Sequence, residues 1–243
     1  MKTIALIPAR YAATRFPGKL MQRLGDKTII RHTYENTKAT LLFDEVIVVT
    51  DSDIIFDEIT HYGGYAIMSK QNHESGSDRI AEAILDIDAE IVVNVQGDEP
   101  FVQKNILAKL LNLFEDNPTE NVQVASLMYP ISSQEDIANP SHVKVVIDSN
   151  YNALYFSRSV IPFNRDKNTN PVYYKHVGIY GYKKEALIQF TTMPKSTLES
   201  IEKLEQLRYL EAGIKIKMAI IDDCPLSIDT PEDLERAKNL YNL

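Results

Sequence analysis

EVIVVTDSDIIFDEITHYGGYAIM, residues 45 to 68, decides the fold. Its first six residues, Glu45–Thr50, are mostly apolar and β-branched and do not alternate with polar ones. That pattern reads as a strand covered on both faces. Asp53–Tyr62 then reads as a helix that stops at Gly63-Gly64, and Tyr65–Met68 as the next short strand. Strand, helix and strand in immediate succession predict a right-handed crossover between parallel neighbours.

The same rhythm extends to both sides. Ile4–Pro8 reads as a strand and Thr28–Thr40 as a helix. Ser77–Ile87 places Ile80, Ile84 and Ile87 on one helical face. IVVNV, Ile91–Val95, is another buried strand, Asn105–Glu115 another helix, and Val122–Leu127 closes the series. The expectation is an α/β fold with a mostly parallel central sheet covered on both faces.

Beyond about residue 130 the pattern changes. His142–Asp148, Ala153–Phe156 and Val172–Tyr182 read as strands with no room for crossover helices, and Pro162–Pro171 as a loop. Residues 130–185 are therefore expected to form an antiparallel insertion. A helix over Ser196–Ala212, a strand over Lys215–Ile221 and a terminal helix near Asp229-Thr230-Pro231 follow. Pro231 suits a first helical position, with Asp229 or Thr230 as the cap. No linker and no internal repeat interrupts the chain, so one domain over 1–243 is expected.

Composition narrows the function. A chain that is 44% hydrophobic and 25% charged can bury a globular core, which excludes disorder. A net charge of −8 with a pI near 5.2 argues against a general nucleic-acid binder. Cys224 is the one cysteine, so no intrachain disulfide forms and a reducing cytoplasm is expected. The N-terminal apolar run is too short for a signal peptide or membrane helix.

Against this acidic background, ALIPARYAATRFPGKL (Ala5–Leu20) places Arg10, Arg15 and Lys19 directly after the first strand, with no carboxylate between them. Ligands of open α/β sheets sit at the carboxyl ends of strands. Three cations there suit an anion, although a solvated loop would look the same. GxxxxGK[ST] and GxGxxG are both absent, so side-chain charge rather than a glycine-built nest would meet phosphates. NVQGDEP (Asn94–Pro100) puts Asp98 at another strand end, with Gly97 allowing close backbone approach. Asp98 could hold Mg²⁺ with phosphate oxygens, or simply cap the next helix.

Three further segments carry candidates. In HESGSDR (His73–Arg79), Ser75 or Ser77 can cap a helix, but Arg79 opposes the positive end of its dipole. It calls for an anionic partner, either a ligand or a neighbouring carboxylate. On a single helix over 196–212, Glu205 would fall in the apolar arc of Leu198, Ile201, Tyr209 and Ala212, where it needs a partner. On the strand KHVGIYGY, His176, Gly178 and Tyr180 share one face, and nearby Arg158 suits a carboxylate.

Taken in order, IPARYAATRFPGK, HESGSDR, NVQGDEP, ALYFSRSVIPF, HVGIYGY, LEQLR and IDTPEDL resemble the 3-deoxy-manno-octulosonate cytidylyltransferase family, from residue 3 to 238. The resemblance implies a Rossmann-like nucleotidyltransferase fold and CMP transfer from CTP to an eight-carbon acid sugar for lipopolysaccharide synthesis. It also implies Mg²⁺ and a homodimer built partly by the insertion. Arg10, Arg15 and Lys19 match its triphosphate loop, and Ser75, Gly76 and Arg79 its nucleotide segment. Asp98 and Asp229 match its metal aspartates. Gln96, Arg158, His176, Tyr180, Glu205 and Gln206 match positions around the sugar. Lys19, Arg15, Asp98 and Asp229 are the expected catalytic set. Ser77 and Asp78 depart from the family's frequent Thr and Glu, conservatively. The short segment between Arg158 and His176 also resembles enzymes of the 8-amino sugar, which stays open as an alternative. Transfer to another acid sugar, and nucleotide binding without turnover, are the remaining alternatives.

Overall fold

The computed structural model describes residues 1–12, 16–71, 73, 75–115, 121–166 and 169–242. The chain divides into two compact units, Met1–Ala108 with Pro225–Leu243, and Lys109–Cys224.

The first unit carries strands β1 (Thr3–Ala9), β4 (Glu45–Thr50), β5 (Ala66–Met68) and β6 (Ile91–Asn94) in the order β6-β1-β4-β5, all parallel. Every residue of β1 is buried, which explains its unalternated sequence: both faces are covered. The tight pair β2 (Arg23–Leu24) and β3 (Lys27–Thr28) leads into helix α1 (Ile29–Ala39). Helix α2 (Asp53–His61) connects β4 to β5 and α3 (Gly76–Ile84) connects β5 to β6. The expected helix stop is present, with Gly63 in the left-handed region at φ 73°. Helix α4 (Lys104–Glu115) begins in this unit, and α9 (Pro231–Tyr241) completes it.

The second unit is mixed. β7 (Val124–Ile131) pairs in parallel with β11 (Ile216–Ile220) and antiparallel with β10 (Tyr173–Lys183). β8 (Lys144–Ile147) pairs antiparallel with β10 and with β9 (Ala153–Ser157). Two helices escaped the sequence reading. α5 (Gln134–Ala138) is too short to display a 3.6 period. α6 (Lys184–Thr192) follows β10 with no glycine or proline to mark the change.

The expected single helix over 196–212 is two helices, α7 (Thr197–Glu202) and α8 (Leu207–Glu211). Lys203 turns the chain in the left-handed region at φ 55°. The physical reason is an ion pair. Arg208 donates to both oxygens of Glu199, from Nε at 2.7 Å and Nη2 at 2.5 Å, and both residues are buried. On one straight helix these residues would stand about 13 Å apart along the axis and could not meet. The common apolar arc therefore does not exist: Ile201 is 72% exposed, and Glu205 lies in the turn between the helices.

Candidate functional site

In the first unit, the carboxyl ends of β1 and β6 bring the charged motifs together. The Lys19 ammonium donates to Asp98 Oδ2 at 2.5 Å and to Asp229 Oδ1 at 3.0 Å. Burial alone would lower the Lys19 pKa, but the two carboxylates hold it above its ordinary value. Neither aspartate is occupied by capping. Helix α4 starts at Lys104, well past Asp98. The cap of α9 is Thr230, which forms a reciprocal capping box with Asp233. A backbone bond from Ile228 N to Asp98 O (3.0 Å) ties the two segments together. Gly97 packs closely beside them: a Cβ would sit 3.1 Å from both Pro8 O and Leu20 Cδ1, so the neighbours would have to give.

Two carboxylates converging on one cationic point are a hard-oxygen donor set of the size Mg²⁺ uses with phosphate oxygens. Among the described residues no group of three or more His, Cys, Asp or Glu gathers in the way a closed zinc or calcium cage requires. The residues therefore fit a magnesium ion, with Lys19 Nζ marking where positive charge is held.

The remaining first-unit candidates differ in what holds them. Gly76 opens α3 against β1, where a Cβ would meet Pro8 Cγ at 3.1 Å and Gln96 Oε1 at 3.8 Å. Ser75 is the α3 cap, accepting from Asp78 N at 3.1 Å. Arg10 is exposed immediately after β1 and makes no ion pair among the described residues. Arg15 lies outside the described residues. Arg79 resolves toward the structural alternative. It is buried, and its guanidinium donates to Asp51 Oδ2 (2.7 Å) and Ser69 Oγ (3.1 Å). Asp51 had a readable signal, a carboxylate directly after strand EVIVVT.

In the second unit, His176 and Tyr180 share the face of β10 with Ser126 of β7. Their rings lie 5.3 Å apart, and His176 also meets Phe156 edge-on at 5.1 Å. Burial pushes the His176 pKa down to about 3, so the ring is neutral. Burial pushes the Tyr180 hydroxyl well up, so it keeps its proton. That hydroxyl is buried without a hydrogen bond among the described residues. The Glu205 charge acts on both Tyr180 and Tyr209, which places it beside them, and Gln206 is buried next to it at the start of α8.

Arg158 is held from several sides. Its Nε donates to Glu202 O (2.9 Å) and its Nη1 to Pro140 O (3.1 Å), while the Glu202 carboxylate accepts from Arg158 N and Ser157 Oγ. Among the described residues the hydrogen bonds of the guanidinium go to carbonyl oxygens. The fully buried Lys144 anchors the same turn, donating to the carbonyls of Asn139 (2.9 Å), His142 (2.6 Å) and Arg158 (2.8 Å). Lys144 and Glu202 were not anticipated, because a lysine on a strand and a glutamate on a helix are ordinary in sequence.

Residues 4–216 match the sequence model of the Cytidylyltransferase family. A 3-deoxy-manno-octulosonate cytidylyltransferase of Flavobacterium johnsoniae is 57% identical over 98% of both chains. The chain belongs to the 3-deoxy-manno-octulosonate cytidylyltransferase family. This cytidylyltransferase is also 43% identical to an 8-amino-3,8-dideoxy-manno-octulosonate cytidylyltransferase of Shewanella frigidimarina, over 98% of each chain. Among solved structures it is similar to CMP:2-keto-3-deoxy-manno-octonic acid synthetase complexed with CTP. That match has a TM-score of 0.94 and 39% identity, covering 100% of this chain and 99% of the other. The cytidylyltransferase has, among its described residues, no helix long and apolar enough to cross a membrane.

Proposed function

We propose that this cytidylyltransferase transfers CMP from CTP to the anomeric 2-hydroxyl of 3-deoxy-D-manno-octulosonate, releasing pyrophosphate in lipopolysaccharide synthesis. The observation that carries this reading is the convergence of Asp98 and Asp229 on Lys19, at the carboxyl edge of the parallel strands.

The sugar 2-hydroxyl attacks the α-phosphorus in line, a reaction governed by positioning and charge neutralisation. Arg10, Arg15 and Lys19 offset charge on the triphosphate and the departing pyrophosphate. Ser75, Gly76 and Arg79 flank the nucleotide, with Arg79 acting as a brace through its bond to Asp51. Asp98 and Asp229 would hold Mg²⁺, which when bound neutralises phosphate charge and polarises a bound oxygen. Arg158 takes the sugar carboxylate. Gln96, His176, Tyr180, Glu205 and Gln206 orient its hydroxyls. The neutral His176 and protonated Tyr180 suit hydrogen bonding and leave neither as a base at neutral pH.

We place the enzyme in the cytoplasm as a homodimer, the second unit supplying the contact. Leu154, Phe163 and Val172 are exposed there at 60%, 85% and 56%, an apolar surface suited to a second copy. Light scattering should give twice the 27.6 kDa chain mass, and Phe163→Asp should shift it toward the monomer. A monomeric wild type would remove this assignment.

The 8-amino sugar is the second reading, supported by the Shewanella frigidimarina relative. One assay decides between them: pyrophosphate release from CTP with each octulosonate, with and without Mg²⁺. Turnover with the 8-hydroxy sugar that requires Mg²⁺ is the expected result. Preference for the 8-amino sugar would reassign the substrate. CTP binding without release from either would identify a nucleotide-binding protein instead.

A further inference from the structure

Ser126 is wholly buried on β7, opposite the place where β10 bulges between Val177 and Tyr180. Three groups surround its hydroxyl: Val177 O at 3.1 Å, Ile179 O at 3.0 Å and His176 Nε2 at 3.1 Å. The two carbonyls can only accept, and the hydroxyl has one proton. If Ser126 gave that proton to His176, both carbonyls would face its lone pairs at hydrogen-bond distance with no hydrogen between them. The arrangement is satisfied when Ser126 donates to a carbonyl and accepts from His176. Nε2 must then carry the imidazole proton.

We propose that Ser126 is a positioning residue for the sugar site, fixing the Nε2–H tautomer of His176 so that Nδ1 is presented as the hydrogen-bond acceptor for a sugar hydroxyl. This rests on the reading of β10 as sugar-binding given above. Nδ1 has no partner among the described residues. The neighbouring Tyr180 hydroxyl retains its proton and interacts with the same Ser126 hydroxyl. An unprotonated Nδ1 can accept the proton of a ligand hydroxyl. The bulge and the tautomer are thus one device, because the same serine oxygen holds both.

The test has two readouts. The ¹⁵N spectrum of histidine-labelled protein should show a pyrrole-type Nε2 and a pyridine-type Nδ1 for His176, identified by its loss in His176→Ala. This signature needs no turnover, so it stands apart from the substrate assignment. A protonated Nδ1 with a bare Nε2 overturns the proposal. In Ser126→Ala the single-tautomer signature should collapse toward a mixture. The sugar KM should rise about tenfold, as for loss of one hydrogen bond, with the CTP KM within about twofold. Ser126→Ala/His176→Ala should bind sugar no worse than His176→Ala alone. Equal rises in both KM values, an unchanged sugar KM, or additive losses in the double variant would each overturn the role.

Discussion

Asp98→Asn should lower kcat by about 10²–10³-fold, the range for removing one preorganised electrostatic group. It should leave the melting temperature within a few degrees of wild type. The substitution keeps the shape of the side chain and removes the charge. Lys19 retains Asp229 as its partner, so no buried cation is stranded. The side chain is 24% exposed, and water can reach the new amide. A capping role would give the opposite pattern, because loss of a cap costs about 1 kcal/mol of stability and spares chemistry. Measuring kcat beside thermal unfolding separates the two. A fall in stability that matched the fall in activity would return Asp98 to the scaffold.

Arg208→Met should destabilise the protein by about 3–5 kcal/mol, because it removes the charge hydrogen-bonded to both oxygens of the buried Glu199. Replacing both members with apolar residues should recover most of that loss. Urea midpoints of the single and double variants measure the difference. The pair also sets an acid limit. Burial alone would raise the Glu199 pKa, but hydrogen bonds from Arg208 and Ser196 N hold it below the ordinary 4.5. A carboxyl with a depressed folded pKa contributes stability that is fully present above its unfolded pKa. That contribution is lost as pH falls through the folded value. Wild type should therefore lose stability on acidification below about pH 4.5. Arg208→Met should lose this component, since protonating the stranded Glu199 would then relieve the fold. An unaltered acid profile in the variant would remove the pair from the account.

Much of the first unit could be read from the sequence, because its parallel strands are buried on both faces and appear as continuous apolar runs between helices. The Lys19, Asp98 and Asp229 segments were readable for a related reason: each lies at a strand end or helix start that the same pattern locates. The second unit resisted where local signals ran out. Nothing near Lys203 announces a left-handed turn, so Glu205 was given a helical arc that the buried Glu199–Arg208 pair forbids. Arg79 was rightly read as needing an anionic partner, either a ligand or a carboxylate, and Asp51, directly after EVIVVT, supplies it. The shared face of His176 and Tyr180 followed from the strand period. Ser126 could not be found that way, since its importance comes from a bulge in a different strand.

Asp229 lies in the segment that rejoins the first unit only after the second has been traversed, and 210 residues separate it from Lys19. Contacts so distant in sequence form late, after nearer ones have reduced the loop-closure entropy. During synthesis a nascent chain that has reached residue 224 already contains the cationic loop, Asp98 and each residue proposed to meet the sugar. It still lacks one of the two carboxylates. Domains form as their chain emerges, so much of the tertiary structure can form before the second of the two proposed metal-binding carboxylates is made. On the proposed role of Asp229, activity waits for this segment to join Lys19 and Asp98.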